Sequence, residues 1–267
     1  MSSRGVHIVN GIIRSYVPTK NYGFIKGQDG KDYFFHLQDL EDRSQGSLVA
    51  EGLAVEFDPE PTPKGYKALS WRIIRPSEVR YKEPDCVLLS KCEEIPGWVI
   101  LDKSRWIIHG SASGSPDNAK QSLKARAMAI GANAVLSMTY YKTTGAEPSN
   151  AGSGTHYFTI HNFRGIAAFA GKPHVRGDIN LEEVKGRIDK KARYLKREFE
   201  KKNRKRKRIS VLVWLVVLPF TAFFGLGWWV DGLKEHPEWA LFTIVGLVLI
   251  FKYGRPRRIG EWLVQSG

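Results

Sequence analysis

From Val9 to Ile74 the chain alternates apolar and polar residues with a period near two. Five β-rich runs, VNGIIRSY, YGFIKG, DYFFHL, LAVEFDPE and KALSWRII, are separated by Gly, Pro, Asp or Ser turn signals. Five short strands in so brief a span predict a small closed all-β barrel over residues 1–80. A break is expected near RYKEPD, at 80–85. Beyond it, NAKQSLKARAMAIGANAVLSMTYYKTTG predicts a helix ending near Gly131 and a strand from Ala134 to Tyr141. THYFTIHNFRGIAAFAG adds strands, so 84–175 reads as an α+β domain, with GSASGSPDN (110–118) as a flexible loop. The period then changes to three and four. Asn180 and Glu183 make a capping-box-like start, and Leu181, Val184, Ile188, Ala192, Leu195 and Phe199 form one narrow stripe on a helix spanning 180–208. Such a stripe suits a coiled-coil seam, packing on the preceding domain, or a membrane surface.

The last third is apolar. Residues 209–230, ISVLVWLVVLPFTAFFGLGWWV, carry no charge and would make a helix about 33 Å long, matching a hydrocarbon core of about 30 Å. A shorter run at 239–253 predicts a second membrane helix, with a re-entrant segment as the alternative. KKNRKRKR precedes the first run and KYGRPRR follows the second, whereas the loop DGLKEHPE is acidic on balance. The positive-inside rule therefore predicts a hairpin in the inner (cytoplasmic) membrane, with both termini and the soluble domains in the cytoplasm.

Charge sharpens this picture. Residues 5–80 hold ten basic and ten acidic side chains, whereas 185–208 hold fourteen basic against three acidic, which is most of the chain's formal +14. The excess is local. Residues 201–208 are expected to attract anionic lipid, or else to supply phosphate contacts that the neutral barrel lacks.

The chemistry concentrates in KNYGFIKGQDGKDYFFH. Strand alternation places Tyr22 and Phe24 on one face, and Phe34 with His36 on one face of the next strand. The Asp-Gly between them predicts a tight hairpin that joins the two sets into one aromatic patch. Ile25, Tyr33 and Phe35 are apolar enough to be the core, so the patch is left to stack on nucleic-acid bases or to bind a protein. Arg14 and Lys20 lie at its margins, where they can reach phosphates.

The segment from Gly11 to about Ile74 resembles a cold-shock domain. GIIRSYVPTKNYGFI is similar to the family's opening strand, Lys-rich loop and first RNP motif, and DYFFHL to the second. The resemblance implies an all-β, five-stranded OB-type barrel and a partner of single-stranded RNA or DNA, contacted by Arg14, Tyr16, Lys20, Tyr22, Phe24, Phe34, His36 and Lys64. Three positions depart from the pattern: Ser15 for a usual tryptophan, Leu37 for phenylalanine and Asn21 for glycine.

In the second domain, CEEIPGW, ARAMAIGANAVLSMTYY and RGIAAFAG resemble the YbjQ-like family of small α+β domains. That resemblance implies ring oligomers, so a homo-oligomer through this domain or helix 180–200 is an expectation. Cys86, Cys92 and the scattered histidines lack metal-ligand spacing and no nucleophile–base pattern appears, so no cofactor and no enzymatic activity are expected, with an enzyme built on a pocket of the second domain as the alternative.

Overall fold

A computed structural model of the chain describes residues 8–149, 154–231, 237–254 and 258–265. Most of the DGLKEHPE loop and part of KYGRPRR lie outside the described residues.

Strands β1 (Val9–Val17), β2 (Tyr22–Gly27), β3 (Asp32–His36), β4 (Ala54–Thr62) and β5 (Gly65–Ile73) close a barrel in the order β1-β2-β3-β5-β4. All neighbours are antiparallel except β3 and β5. Its inward side chains are large. Ile13, Ile25, Tyr33, Phe35, Phe57 and Trp71 are each no more than 2% exposed. Burying one such side chain contributes roughly 1.5–3 kcal/mol, which explains why the alternating runs fold as strands with this register.

The second domain begins earlier than the sequence suggests. Strand β6 (Arg80–Lys82), at the expected break, pairs with the far end of β10. After β7 (Leu88–Leu89) come β8 (Val99–Ala112), α1 (Pro116–Ala129), β9 (Ala134–Pro148) and β10 (Thr155–His174), with β10 central between β8 and β9. GSASGSPDN is more ordered than a flexible loop. Gly110 to Ala112 finish β8, and Ser115 caps α1, its hydroxyl accepting the Asn118 N–H at 3.1 Å with Pro116 at the first helical position. Asn133 is buried and bonds Ala170 twice, accepting its N–H at 2.7 Å and donating to its carbonyl at 3.0 Å.

Glu51 joins the two domains. Its carboxylate accepts the Tyr16 N–H at 3.0 Å and pairs with Lys172 at 2.6 Å, and its backbone bonds Pro173 and Val175. Val175 packs against the barrel core.

A short helix, α2 (Leu181–Val184), turns at Gly186 into the long α3 (Arg187–Leu212). Val184, Ile188 and Ala192 are fully buried, Arg187 lies over the Phe169 ring at 5.4 Å, and Asp189 accepts the Arg105 N–H at 3.1 Å. Of the three uses open to the stripe, its first half packs on the preceding domain.

Contacts divide the chain within α3, after Ala192, and Arg193–Leu263 form a second unit. Here α3 runs through a π turn at Val213–Val217 into α4 (Leu218–Asp231), and α5 (Pro237–Tyr253) folds back on α4. Phe224 meets Phe242, Thr221 meets Gly246, and Trp214 donates to the Gly254 carbonyl, so the helices are antiparallel. The helical stretch Leu181–Gly227 is the one helix among the described residues long and apolar enough to cross a membrane, and α5 is a shorter apolar helix.

Candidate nucleic-acid interface

The β2–β3 turn is built by Asp29 and Gly30. Asp29 accepts the Lys31 N–H at 3.1 Å, and Gly30 takes a φ of 82°, which a side chain would disfavour. The resulting register sets Tyr22 opposite His36 and Phe24 opposite Phe34. Paired residues point the same way, so these four share the outer face while Ile25, Tyr33 and Phe35 fill the barrel. Phe34 is the hub. Its ring centre is 5.7 Å from that of Tyr22 and 5.9 Å from that of Phe24, which crosses it edge-on. Phe24 is 43% exposed and the others are half-buried, so the cluster presents ring faces without being free to collapse inward.

Arg14 is exposed at the margin and pairs with Asp32 at 3.0 Å, a carboxylate it shares with Lys26 at 3.4 Å. Lys20 is exposed on the single 3-10 turn before Tyr22, and Lys64 is exposed in the β4–β5 turn. Tyr16 is different. Its side chain is only 5% exposed and stacks on Phe35 inside the barrel, with ring centres 6.0 Å apart. The expectation that it contacts nucleic acid is corrected by a bulge between Ile13 and Ser15, which shifts the alternation by one residue. Burial also raises the Tyr16 hydroxyl pKa.

The three departures acquire physical reasons. Asn21 has φ 55°, a left-handed conformation that asparagine tolerates better than most residues with a side chain. Leu37 packs on the barrel core, so its position adds no ring to the platform. Ser15 faces Phe24 across the strand pair and leaves that ring's flank open.

Sequence reasoning missed several neighbours. Lys67 is the register partner of Phe34 on β5 and pairs with Asp39 at 3.1 Å. The alternation of KGYKA could have indicated it. Asn21, His36, Leu37, Gln38 and Arg43 line a concavity of about 210 Å³ at the His36 end of the platform. Nothing in the sequence marks Gln38 or Arg43 as neighbours, because a loop brings them there. His36 Nδ1 accepts the Gln38 N–H at 3.1 Å, so the neutral ring carries its proton on Nε2 as a donor. The cations Arg14, Lys26 and Lys67 all lie beside carboxylates, so this face offers rings and hydrogen bonds with little net charge. Beneath it, the Tyr33 hydroxyl donates to Asp29 at 2.6 Å. Burial, with that bond and the Asp29 charge, pushes the Tyr33 pKa up to about 12, and the same bond lowers that of Asp29.

Residues 9–72 match the model of the 'Cold-shock' DNA-binding domain. Over 61 residues the chain is 36% identical to the retron Se72 cold shock-like protein of Salmonella heidelberg (strain 579083-10), covering 91% of that protein and 23% of this one. The chain belongs to the cold-shock family. Cold shock protein 1 of Lactiplantibacillus plantarum is 37% identical over 59 residues, 88% of its length and 22% of this chain. The cold shock-like protein CspJ of Salmonella typhi is 35% identical over 63 residues, 89% of its length and 23% of this chain. These relatives align with little more than the cold-shock barrel, which is where the aromatic platform lies.

Outside the barrel, histidines of the second domain meet tyrosines. Tyr140 bonds His161 at 2.7 Å and Tyr141 bonds His109 at 3.4 Å. Among the described residues no three His, Cys, Asp or Glu side chains gather as metal ligands.

Proposed function

We propose that the chain is a membrane-anchored protein that binds single-stranded RNA or DNA on its cold-shock barrel. The observation that carries this reading is the outward cluster of Tyr22, Phe24, Phe34 and His36 above a core already filled by Ile25, Tyr33 and Phe35. Bases stacking on such a platform contribute about 1–3 kcal/mol each and need little sequence preference. The carboxylate-bound cations of the barrel leave most phosphate attraction to other parts of the chain, and the fourteen basic residues of 185–208 are the natural source. The same basic stretch leads into the apolar hairpin of α4 and α5, which supports anchoring with the soluble domains in the cytoplasm. A diffusely attracted lipid surface and nucleic acid would then compete for the exposed charges of this stretch. The second domain, by its YbjQ-like resemblance, serves assembly or spacing, and no catalytic role is assigned to the chain.

The test uses the full chain in detergent and a labelled pyrimidine-rich single strand. Phe24→Ala with Phe34→Ala should weaken binding by about 2–6 kcal/mol at an unchanged salt slope. Glutamine at Lys201, Lys202, Lys205 and Arg208 should flatten the slope of log affinity against log salt. Full binding by the double phenylalanine variant would remove the platform from the mechanism.

A further inference from the structure

The segment returning from the apolar hairpin is fastened to α3 at two places. Asn203 bonds Ile259 twice, donating to its carbonyl and accepting its N–H, both at 2.9 Å. Beside it, Lys196 donates to the Leu263 carbonyl at 2.9 Å, and Phe199 lies against Gly260 and edge-on to Trp262. Two turns further along, Ser210 and Trp214 share the Gly254 carbonyl, at 2.7 and 2.9 Å.

Between these fastenings opens a cavity of about 660 Å³. Its wall carries five cations, Lys196, Arg204, Arg206, Lys207 and Arg258, and two acids, Glu200 and Glu261. Arg204, Lys207 and Val211 also line a second cavity of about 560 Å³, which Leu212 extends on its apolar side. One wall of cations thus serves a charge-lined chamber of mixed polarity and an almost wholly apolar one. The change falls where α3 passes from charged to uncharged sequence, the depth at which a headgroup phosphate meets its acyl chains. A nucleic-acid backbone suits this place poorly: it would bring repeated phosphates past Glu200 and Glu261 and leave the apolar chamber unused. Guanidinium groups hold a single phosphate with paired, charge-assisted hydrogen bonds, and carboxylates can accept from headgroup hydroxyls.

The geometry points to a seat for one anionic glycerophospholipid. Its phosphate lies among Arg204, Lys207 and Arg258, its headgroup hydroxyls face Glu200 and Glu261, and an acyl chain follows Val211 and Leu212. The seat rests on the membrane-anchored reading above, and it adds a defined lipid to a general attraction of basic residues for anionic surfaces.

Native mass spectrometry of the full chain, released from detergent with phosphatidylglycerol, phosphatidylcholine, glycerol phosphate or a short single strand, tests it. The protein should retain phosphatidylglycerol in preference to phosphatidylcholine and glycerol phosphate, and should keep it when the single strand is bound at the barrel. R204A/K207A/R258A should lower that retention about tenfold, while K201A/K202A/K205A, equal in charge but outside the cavity, should lower it about twofold or less. A single Arg258→Ala variant, expected to lose about threefold, decides the matter should the triple variant misfold. Equal loss in the two triple variants would reduce the seat to diffuse attraction and overturn it. So would equal retention of phosphatidylcholine, binding of glycerol phosphate as tight as that of the lipid, or displacement of the lipid by the single strand. Release of the full chain from membranes by alkaline carbonate would overturn the anchoring itself, whereas retention in carbonate with equal losses overturns the seat alone.

Discussion

Phe34 touches both Tyr22 and Phe24, whereas Tyr16, equally aromatic, stacks inward on Phe35. The two kinds of ring should respond oppositely to substitution. Tyr16→Phe keeps the buried ring and should leave single-strand affinity unchanged in a fluorescence titration, while Phe34→Ala should cost about 1–3 kcal/mol of binding with the fold retained. A Tyr16→Phe variant that binds as poorly as Phe34→Ala would put Tyr16 back in the interface. The Tyr33–Asp29 pair makes a prediction about pH. A Tyr33 raised from 10.0 to about 12 binds its proton more tightly folded than unfolded, so its stabilising contribution is complete below pH 10 and is lost as pH rises through about 12. Thermal melts across that range should show the decline, and Tyr33→Phe should abolish this component. Asp29 has the opposite sign, since a lowered carboxylate pKa supports the fold at neutral pH and fails as the solution is acidified below the ordinary 3.8.

At the scale of elements, close approach fixes the hairpin. A Cβ on Gly23 would meet the Ser15 carbonyl oxygen and come within 2.6 Å of the Phe35 ring, and the backbone contact cannot yield without moving β1. Gly23→Ala should therefore destabilise the barrel by about 1–3 kcal/mol in a denaturant melt; an unchanged midpoint would mean that the strands separate more easily than their register suggests. Alternation was a good guide for β2 and β3 because neither strand is interrupted, and it placed Tyr22, Phe24, Phe34 and His36 correctly on one face. It failed in β1 because the bulge at Ile13 and Ser15 is a backbone event with no residue type that announces it. Arg80–Lys82 is illegible in the sequence because one aromatic between two cations carries no period, and the strand depends on its pairing with Lys172 to His174. The stripe on α3 was visible as a stripe, but a period cannot say what covers it; Val184, Ile188 and Ala192 are covered by their own chain.

For the molecule as a whole, the junction at Glu51 decides whether the barrel acts alone. Glu51 is hydrogen-bonded from Tyr16, ion-paired with Lys172 and bonded through its backbone to Pro173 and Val175. Glu51→Leu removes the Tyr16 bond and the ion pair while Lys172 keeps about a third of its side chain in solvent, so it should destabilise the chain by about 1–2 kcal/mol and make the 74–80 connection a site of limited proteolysis. Cleavage at an unaltered rate would show that the domains are already independent. The same junction has a mechanical meaning. A strand held on the platform and pulled along the barrel would load Glu51 and Val175 together, sharing the tension among several short bonds instead of passing it through a slack tether. Barrel and second domain would then move as a single handle, and force applied to the nucleic acid would reach the β10 sheet before any linker could stretch.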